Sequence, residues 1–389
     1  MSIQNLVELS RRYGGDPKWV LAGGGNTSVK EDDLLYIKAS GYALATMTRE
    51  GLVAMRRPAL QQIWNEDYPS KVEAREEKAL ADLMAARHPD DTDKRPSVET
   101  LMHEAMPFTY VIHTHPALVN GITCGHDGES AAGELFGDEL LWIPLVNPGY
   151  VLAKRVKTEL EEYRRRHGRA PRIALLQNHG LVVAGDEPEK IVSLHDEILE
   201  RVNNRLRRTP DLSEVDIDEE LVSRLEADIA QAYVEARTAA GVDTAPAGAG
   251  TAFRTNAEMA RLVSDRSAFE RVAGPFTPDH IVYAGPRPPL VARRDGREAQ
   301  RRAIREVFDS HYREFAILPR ALGVEGVGAF GVGPSDGAAE KAALLFEDAV
   351  KVGAYSESFG GPRFMESDQV DFIMSWEVEA YRAKISGGA

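Results

Sequence analysis

Three imidazoles and one carboxylate stand where this sequence could do chemistry: His113 and His115 in Tyr110-Val-Ile-His-Thr-His115, His179 in Asn178-His-Gly180, and Glu99 in Pro96-Ser-Val-Glu99. An apolar run from Phe108 leads into the first pair. Strand side chains alternate faces, so Val111, His113 and His115 share one side. His179 interrupts a second apolar run, Ile173 to Ala184, at a polar break that would be costly to bury unless its groups are bonded. A lone histidine there would read as a satisfied turn residue. With His113 and His115 already converging, it reads as the third ligand of a metal site. Three neutral imidazoles leave a divalent ion an open position, the mark of a catalytic rather than a structural zinc site. Such an ion could hold the carbonyl and hydroxyl oxygens of a sugar and stabilise an enediolate, with Glu99 moving the proton as general acid and base.

Three anion-friendly elements precede Glu99. The loop Gly23-Gly-Gly-Asn-Thr-Ser28 lets backbone N–H groups approach an anion closely, and Asn26 adds a side-chain donor. On spacing alone it serves equally as a tight hairpin, and it is not a P-loop, because no Gly-Lys-Ser/Thr follows. Lys38, Ser40 and Gly41 end a strand from Leu34, although a strand-end lysine is more often solvated. Ser97 opens the helix expected to deliver Glu99 and end at Pro107. His103 falls one turn after Glu99, either behind it or on the helix surface.

The elements that must position these residues follow from periodicity. Helices are expected over Ile3 to Tyr13, Arg49 to Arg57, Lys71 to Arg87, Leu152 to Arg166, Pro188 to Arg207, Asp218 to Ala239 and Asp336 to Val352. Strands are expected from Trp19 into the glycine loop, and over Leu34 to Lys38, Leu140 to Val146 and both sides of His179, with a turn and short strand over Gly274 to Tyr283. His195 reads as a packed histidine beside the apolar stripe of its helix. Arg164-Arg-Arg-His-Gly-Arg169 reads as a solvated helix end whose cations suit the C-terminal dipole. Gly326-Val-Gly-Ala-Phe-Gly331 reads as a glycine-rich strand, because Gly333-Pro334 stands where a dinucleotide-binding helix should have begun. Placing it over Gly180 to Gly185 suggests a degenerate second copy without the histidines, with Glu325 at the position of His179 and Ile281 to Tyr283 echoing Leu35 to Lys38.

A chain of 389 residues exceeds what one core usually fills. The expected division is a catalytic domain over 1–210, a helix with a small-residue linker over 211–250, and a C-terminal α/β domain without metal ligands over 251–389. The formal net charge of -14 argues against nucleic-acid binding, which needs a basic surface. No apolar window reaches membrane-spanning length and no export leader is evident, so no membrane association is expected. The single cysteine, Cys124, has no activating base nearby, so it reads as structural, and a reducing, cytoplasmic setting is expected.

Taken in order, Gly24-Gly-Asn-Thr-Ser28, Lys38-Ala-Ser-Gly41, Ser97-Val-Glu99, His113-Thr-His115 and Asn178-His-Gly180 resemble the class II aldolase/adducin family, which includes L-fuculose-phosphate and L-rhamnulose-phosphate aldolases and ribulose-phosphate epimerases. Arg95-Pro-Ser-Val-Glu-Thr100, Gly274-Pro-Phe-Thr-Pro-Asp-His280 and Ser358-Phe-Gly-Gly-Pro362 look most like the aldolase half of long rhamnulose-phosphate aldolase/dehydrogenase proteins, here without the dehydrogenase domain. The resemblance implies a three-layer α/β/α fold with a central, mainly antiparallel sheet. It implies zinc, or another divalent metal, on His113, His115 and His179, Glu99 as acid/base, and a substrate phosphate held by Asn26, Lys38, Ser40, Gly41 and Ser97. It also implies a homo-oligomer, commonly a tetramer. The activity expected is cleavage of a ketose 1-phosphate of the rhamnulose or fuculose type to dihydroxyacetone phosphate and an aldehyde. Epimerisation, decarboxylation or dehydration at the same site, or adducin-like binding without catalysis, are the alternatives. Two features depart from the aldolases: Val98 stands where they carry a second serine, and their tyrosine from a neighbouring subunit has no clear match.

Overall fold

The glycine-rich stretch sets where the sheet begins. In the computed structural model, which describes residues 2–241 and 248–376, the chain turns at Leu21 to Gly24, with the Gly24 N–H donating to the Leu21 carbonyl at 2.9 Å. Gly25 takes φ +70°, a left-handed value that favours glycine. The strand expected to lead into the glycines therefore starts after them, as β1 (Asn26–Glu31). The chain divides into two compact units, one formed mainly by residues 2–206 and the other by residues 207–375.

The first unit holds a seven-stranded sheet. Its other strands are β2 (Leu34–Lys38), β3 (Leu52–Arg56), β4 (Tyr110–Thr114), β5 (Leu140–Ile143), β6 (Ile173–Leu176) and β7 (Gly180–Gly185), in the order β3-β2-β1-β4-β7-β6-β5. Every neighbouring pair is antiparallel except β5 with β6. The helix expected over Arg49 to Arg57 is instead a short turn of 3-10 helix followed by β3, in which Met55 lies opposite Leu35. Pairing with an apolar neighbour strand overrides the helical preference of Leu52-Val-Ala-Met-Arg56. One face of the sheet, carrying Leu35, Ile37, Val53, Met55, Val111, Ala174 and Val182, packs on helices Val72–Ala85, Thr100–Ala105 and Tyr150–His167 through Leu83, Leu101, Leu152, Val156 and Leu160. Helices Ser2–Gly14 and Pro188–Arg205 lie against β1 and β7 respectively, and are tied together where the Tyr13 hydroxyl meets His195 Nδ1 at 3.0 Å. His195 is fully buried there, a packed residue. The arginine cluster ends the helix Tyr150–His167, with Gly168 in the left-handed cap position.

The second unit has a four-stranded sheet of β8 (Gly250–Arg254), β9 (Leu290–Val291), β10 (Ala321–Val324) and β11 (Gly328–Gly333), ordered β8-β11-β10-β9. Helix Glu219–Ala239, which the sequence suggests as part of a connecting segment, contributes Val222, Leu225, Ile229 and Ala232 to this unit's core beside Phe308 and Phe330. Residues 242–247 of the expected linker lie outside the described residues. The strand expected before Tyr283 is a helix, Pro278–Tyr283, because Pro278 pre-sets the first helical φ after an extended Thr277. Any echo of Leu35 to Lys38 in Ile281 to Tyr283 is thereby removed.

The topology of the second sheet repeats that of β4-β7-β6-β5, including the single parallel pair, β9 with β10. The turns repeat as well. The His179 N–H donates to Leu176 O at 3.1 Å with Asn178 at φ +52°, and the Val327 N–H donates to Val324 O at 3.0 Å with Gly326 at φ +67°. Gly180 therefore corresponds to Gly328, not Gly326, and His179 to Val327, not Glu325. His113 lies opposite Val182, as Phe253 lies opposite Phe330, so an apolar ring occupies the place of the first imidazole.

Candidate metal centre

Glycine, strand and turn together aim three imidazoles at one point. His113 is the fourth residue of β4, on the same face as Val111, and is completely buried. His115 follows the strand end and is fixed by its N–H to the Trp19 carbonyl at 2.8 Å. His179 comes from the β6–β7 turn. His113 Nε2 lies 3.0 Å from His115 Nε2 and 3.3 Å from His179 Nε2, and the ligand atoms of all three fall within 4.8 Å of one another. The donor set fits a divalent ion. His113 Nδ1 donates to the Leu181 carbonyl at 2.9 Å, which fixes the tautomer and leaves the Nε2 lone pair facing its neighbours. Burial pushes His179 down to about 4, so its imidazole is neutral at pH 7 and able to ligate.

Glu99 completes the constellation. Its Oε1 lies 3.2 Å from His179 Nε2 and 3.5 Å from His113 Nε2. Burial alone would raise the carboxyl, but the imidazoles of His113 and His179 beside it outweigh that and hold Glu99 well below the usual carboxylate range. The helix expected from Ser97 begins at Thr100, with Glu99 in the preceding cap position. Ser97 forms the turn before it: its carbonyl accepts from the Thr100 N–H at 3.1 Å and its Oγ from the Glu99 N–H at 3.2 Å.

The residues expected to hold phosphate gather at the same end of the sheet, though not all aim outward. Asn26, opposite His113 across β1 and β4, donates its Nδ2 to Glu99 Oε2. Lys38 is buried, with Nζ 3.5 Å from the Gly23 carbonyl of the glycine loop. Ser40 donates its N–H to Arg95 O at 2.8 Å and its Oγ to Pro96 O at 3.3 Å, while Gly41 turns at φ +92°. Tyr150 is buried in a ring contact with Tyr68 at 4.2 Å.

Of the two positions the sequence leaves open for His103, the structure takes the one behind Glu99: it is fully buried, with Nδ1 2.7 Å from Ser28 Oγ, and burial pushes it down to about 3, so it stays neutral. Other supporting contacts are not legible in the sequence. Lys30 donates its Nζ to the carbonyls of His103, Met106 and Phe108, capping the helix that follows Glu99. The alternation of β1 points Ser28 and Lys30 to one side, but their partners are hidden by distance along the chain. Gly180 is the other. A Cβ there would come within 2.6 Å of Thr114 O, 2.7 Å of His115 Cδ2 and 3.2 Å of His113 Cε1. Gly180→Ala is accordingly expected to push both rings aside and weaken metal binding by about 10- to 100-fold, as loss of ligand orientation does elsewhere. Competition with a chromophoric chelator measures this, and an unchanged affinity would remove the positioning role.

A largely buried three-histidine cluster with an adjacent carboxylate, at the end of a mainly antiparallel sheet within an α/β/α unit, is the geometry of a candidate metal centre. The family model "Class II Aldolase and Adducin N-terminal domain" matches residues 4–203, and the chain belongs to that family. It is 28% identical over 219 residues to the uncharacterized oxidoreductase YuxG of Bacillus subtilis, the match taking in 53% of this chain and 30% of that protein. The chain thus spans well under half the length of that curated relative. A solved N-terminal class II aldolase domain of a conserved protein from Thermoplasma acidophilum is 28% identical, with a TM-score of 0.44, over 52% of this chain and 92% of that one. The L-fuculose-1-phosphate aldolase of Thermus thermophilus is 20% identical, with a TM-score of 0.34, over 52% of this chain and 94% of that one. Among the described residues no helix is long and apolar enough to cross a membrane.

Proposed function

We propose that this chain is a zinc-dependent aldol lyase that splits a ketose 1-phosphate of the rhamnulose or fuculose type into dihydroxyacetone phosphate and an aldehyde. The observation that carries the reading is the convergence of His113, His115 and His179 Nε2 with the Glu99 carboxylate against two of them. His113, His115 and His179 would hold the ion, which when bound supplies a Lewis acid for the substrate's carbonyl and hydroxyl oxygens. Glu99, ionised and within reach of the same point, takes the hydroxyl proton as the carbon–carbon bond opens and returns it to the carbon left with the electron pair. Asn26 holds Glu99 in place through its Nδ2. Lys38, Ser40, Gly41 and Ser97, with the glycine loop, bind the phosphate, the long-range attraction coming from the Lys38 ammonium. We place the protein in the cytoplasm as a homo-oligomer.

The test is product analysis of zinc-loaded protein with a panel of phosphorylated and free ketoses. Dihydroxyacetone phosphate with an equal amount of aldehyde is the expected result. An epimer, carbon dioxide or a dehydrated sugar in place of the triose phosphate would overturn the lyase assignment and retain the site. Absence of both turnover and bound metal would favour an adducin-like binding role.

A further inference from the structure

The second unit lacks the histidines but has a cavity of its own, about 370 Å³, between the start of β10, the end of β11 and the first turns of helix Asp336–Ser356. We propose that it is a binding site for a small aromatic anion, a molecule with a planar apolar body and one carboxylate or phosphate group. The volume suits a one- or two-ring molecule. Its walls are mostly apolar, with the rings of Tyr233 and Tyr312 and the side chain of Ile317 offering stacking and packing surface. Three basic residues, Arg237, Arg320 and Lys341, line it, and among the described residues no aspartate or glutamate does. That is unusual in a chain of net charge -14.

Arg320 is the central residue of this cavity. It precedes β10 and donates Nη1 to the Val282 carbonyl, and among the described residues no carboxylate pairs with it. Burial draws its guanidinium below the usual arginine range, with Tyr233 opposing. A part-buried cation that meets a neutral carbonyl and, among the described residues, no carboxylate is stabilised by an anion delivered to it. Pro334 and Ala338 place the start of a 21-residue helix at the same wall, and its dipole favours negative charge there.

The first unit supplies an internal control. Arg172 precedes β6 as Arg320 precedes β10: its carbonyl accepts from the Ala184 N–H at 2.9 Å, as that of Arg320 accepts from Val332 at 2.7 Å. The cavity at Arg172 is also lined by basic residues, but Glu139 and Glu197 line it with them, each ion-paired with Arg201 beside it. In the second unit the crevice beside Arg320 is lined by tyrosines, and among the described residues by no carboxylate. That lining suits a ligand bringing its own negative charge and a ring.

Calorimetric titration of the full chain with phenyl phosphate tests this, with inorganic phosphate and benzyl alcohol as the non-aromatic and neutral controls. Saturable one-to-one binding at about 1 mM or tighter is expected, within the affinity a ligand of this size can reach. Both controls should bind at least about tenfold more weakly, because charge and ring each contribute. Arg320→Gln and Arg237→Gln should each weaken phenyl phosphate by about tenfold or more, and His113→Ala should leave it unchanged. Should Arg320→Gln fail to fold, as judged by circular dichroism, Arg237→Gln carries the test. No saturable heat, controls that bind equally well, unchanged affinity in the arginine variants, or loss in His113→Ala would each overturn the proposal.

Discussion

Replacing His113 with alanine is expected to take the protein from about one tightly bound divalent ion per chain to less than about one-tenth, measured by elemental analysis after purification without chelator. The size of the effect follows from the geometry. His113 Nε2 lies at 3.0 and 3.3 Å from the other two imidazoles, so it is the shared vertex of the cluster. Its removal leaves two ligands contributed by a strand end and a turn. Its Nδ1 bond to Leu181 O also fixes the ring to β7, the strand that carries Gly180 against the two rings. Ion bound only to the folded chain also adds stability by mass action, so a strong chelator should lower the melting temperature of the native chain and leave that of His113→Ala unmoved. Sub-stoichiometric metal in both proteins, or full occupancy in the variant, would remove the site.

Glu99→Gln should do something different: leave metal content unchanged and lower kcat by about 10²- to 10⁴-fold, the usual worth of a positioned acid/base. The amide has nearly the same shape, so the Asn26 contact and the turn at Ser97 should survive while the ability to accept a proton is lost. The loss should fall on kcat with KM little changed, because Glu99 is assigned a role in proton movement and not in holding the phosphate. Steady-state kinetics on whichever ketose phosphate the product panel identifies, with elemental analysis of the same sample, provides the check. A kcat within about threefold of native would sink the acid/base role, since such a change is far below what a proton carrier supplies. A parallel loss of metal would make Glu99 a structural partner of the histidines.

Chemistry is more legible in this sequence than scaffold. His113, His115, His179 and Glu99 stand out by residue type and by position relative to apolar runs, and all four meet at one point. Asn26 has a different neighbour from the one its sequence context suggests. Following three glycines, it reads as a phosphate donor, yet it lies opposite His113 and donates to Glu99. That contact depends on the register of β1 against β4, which no local pattern encodes. Leu52 to Arg56 reads as helical because its apolar spacing suits either period, and its pairing with β2 decides otherwise. The partners of Lys30 and His103 are invisible for a related reason: each polar group is satisfied by one far along the chain.

The second unit shows the same division more sharply. Helix Asp336–Ser356 and the glycine-rich strand before it are legible from period and composition. The correspondence with the first unit is legible only as an approximate match of glycines, two residues out of register, because glycines fit several positions of a turn equally well. The hydrogen bonds of Leu176 with His179 and Val324 with Val327 fix it. By itself, then, the sequence determined which residues are candidates for chemistry: imidazoles and carboxylates are recognised by type, and the apolar runs around them mark strand ends. Only the tertiary structure decided what each one faces, which rings Gly180 lets close together, and where Arg320 is partly buried with no carboxylate among the described residues beside it. Those outcomes depend on strand register and on distances between segments far apart in the chain.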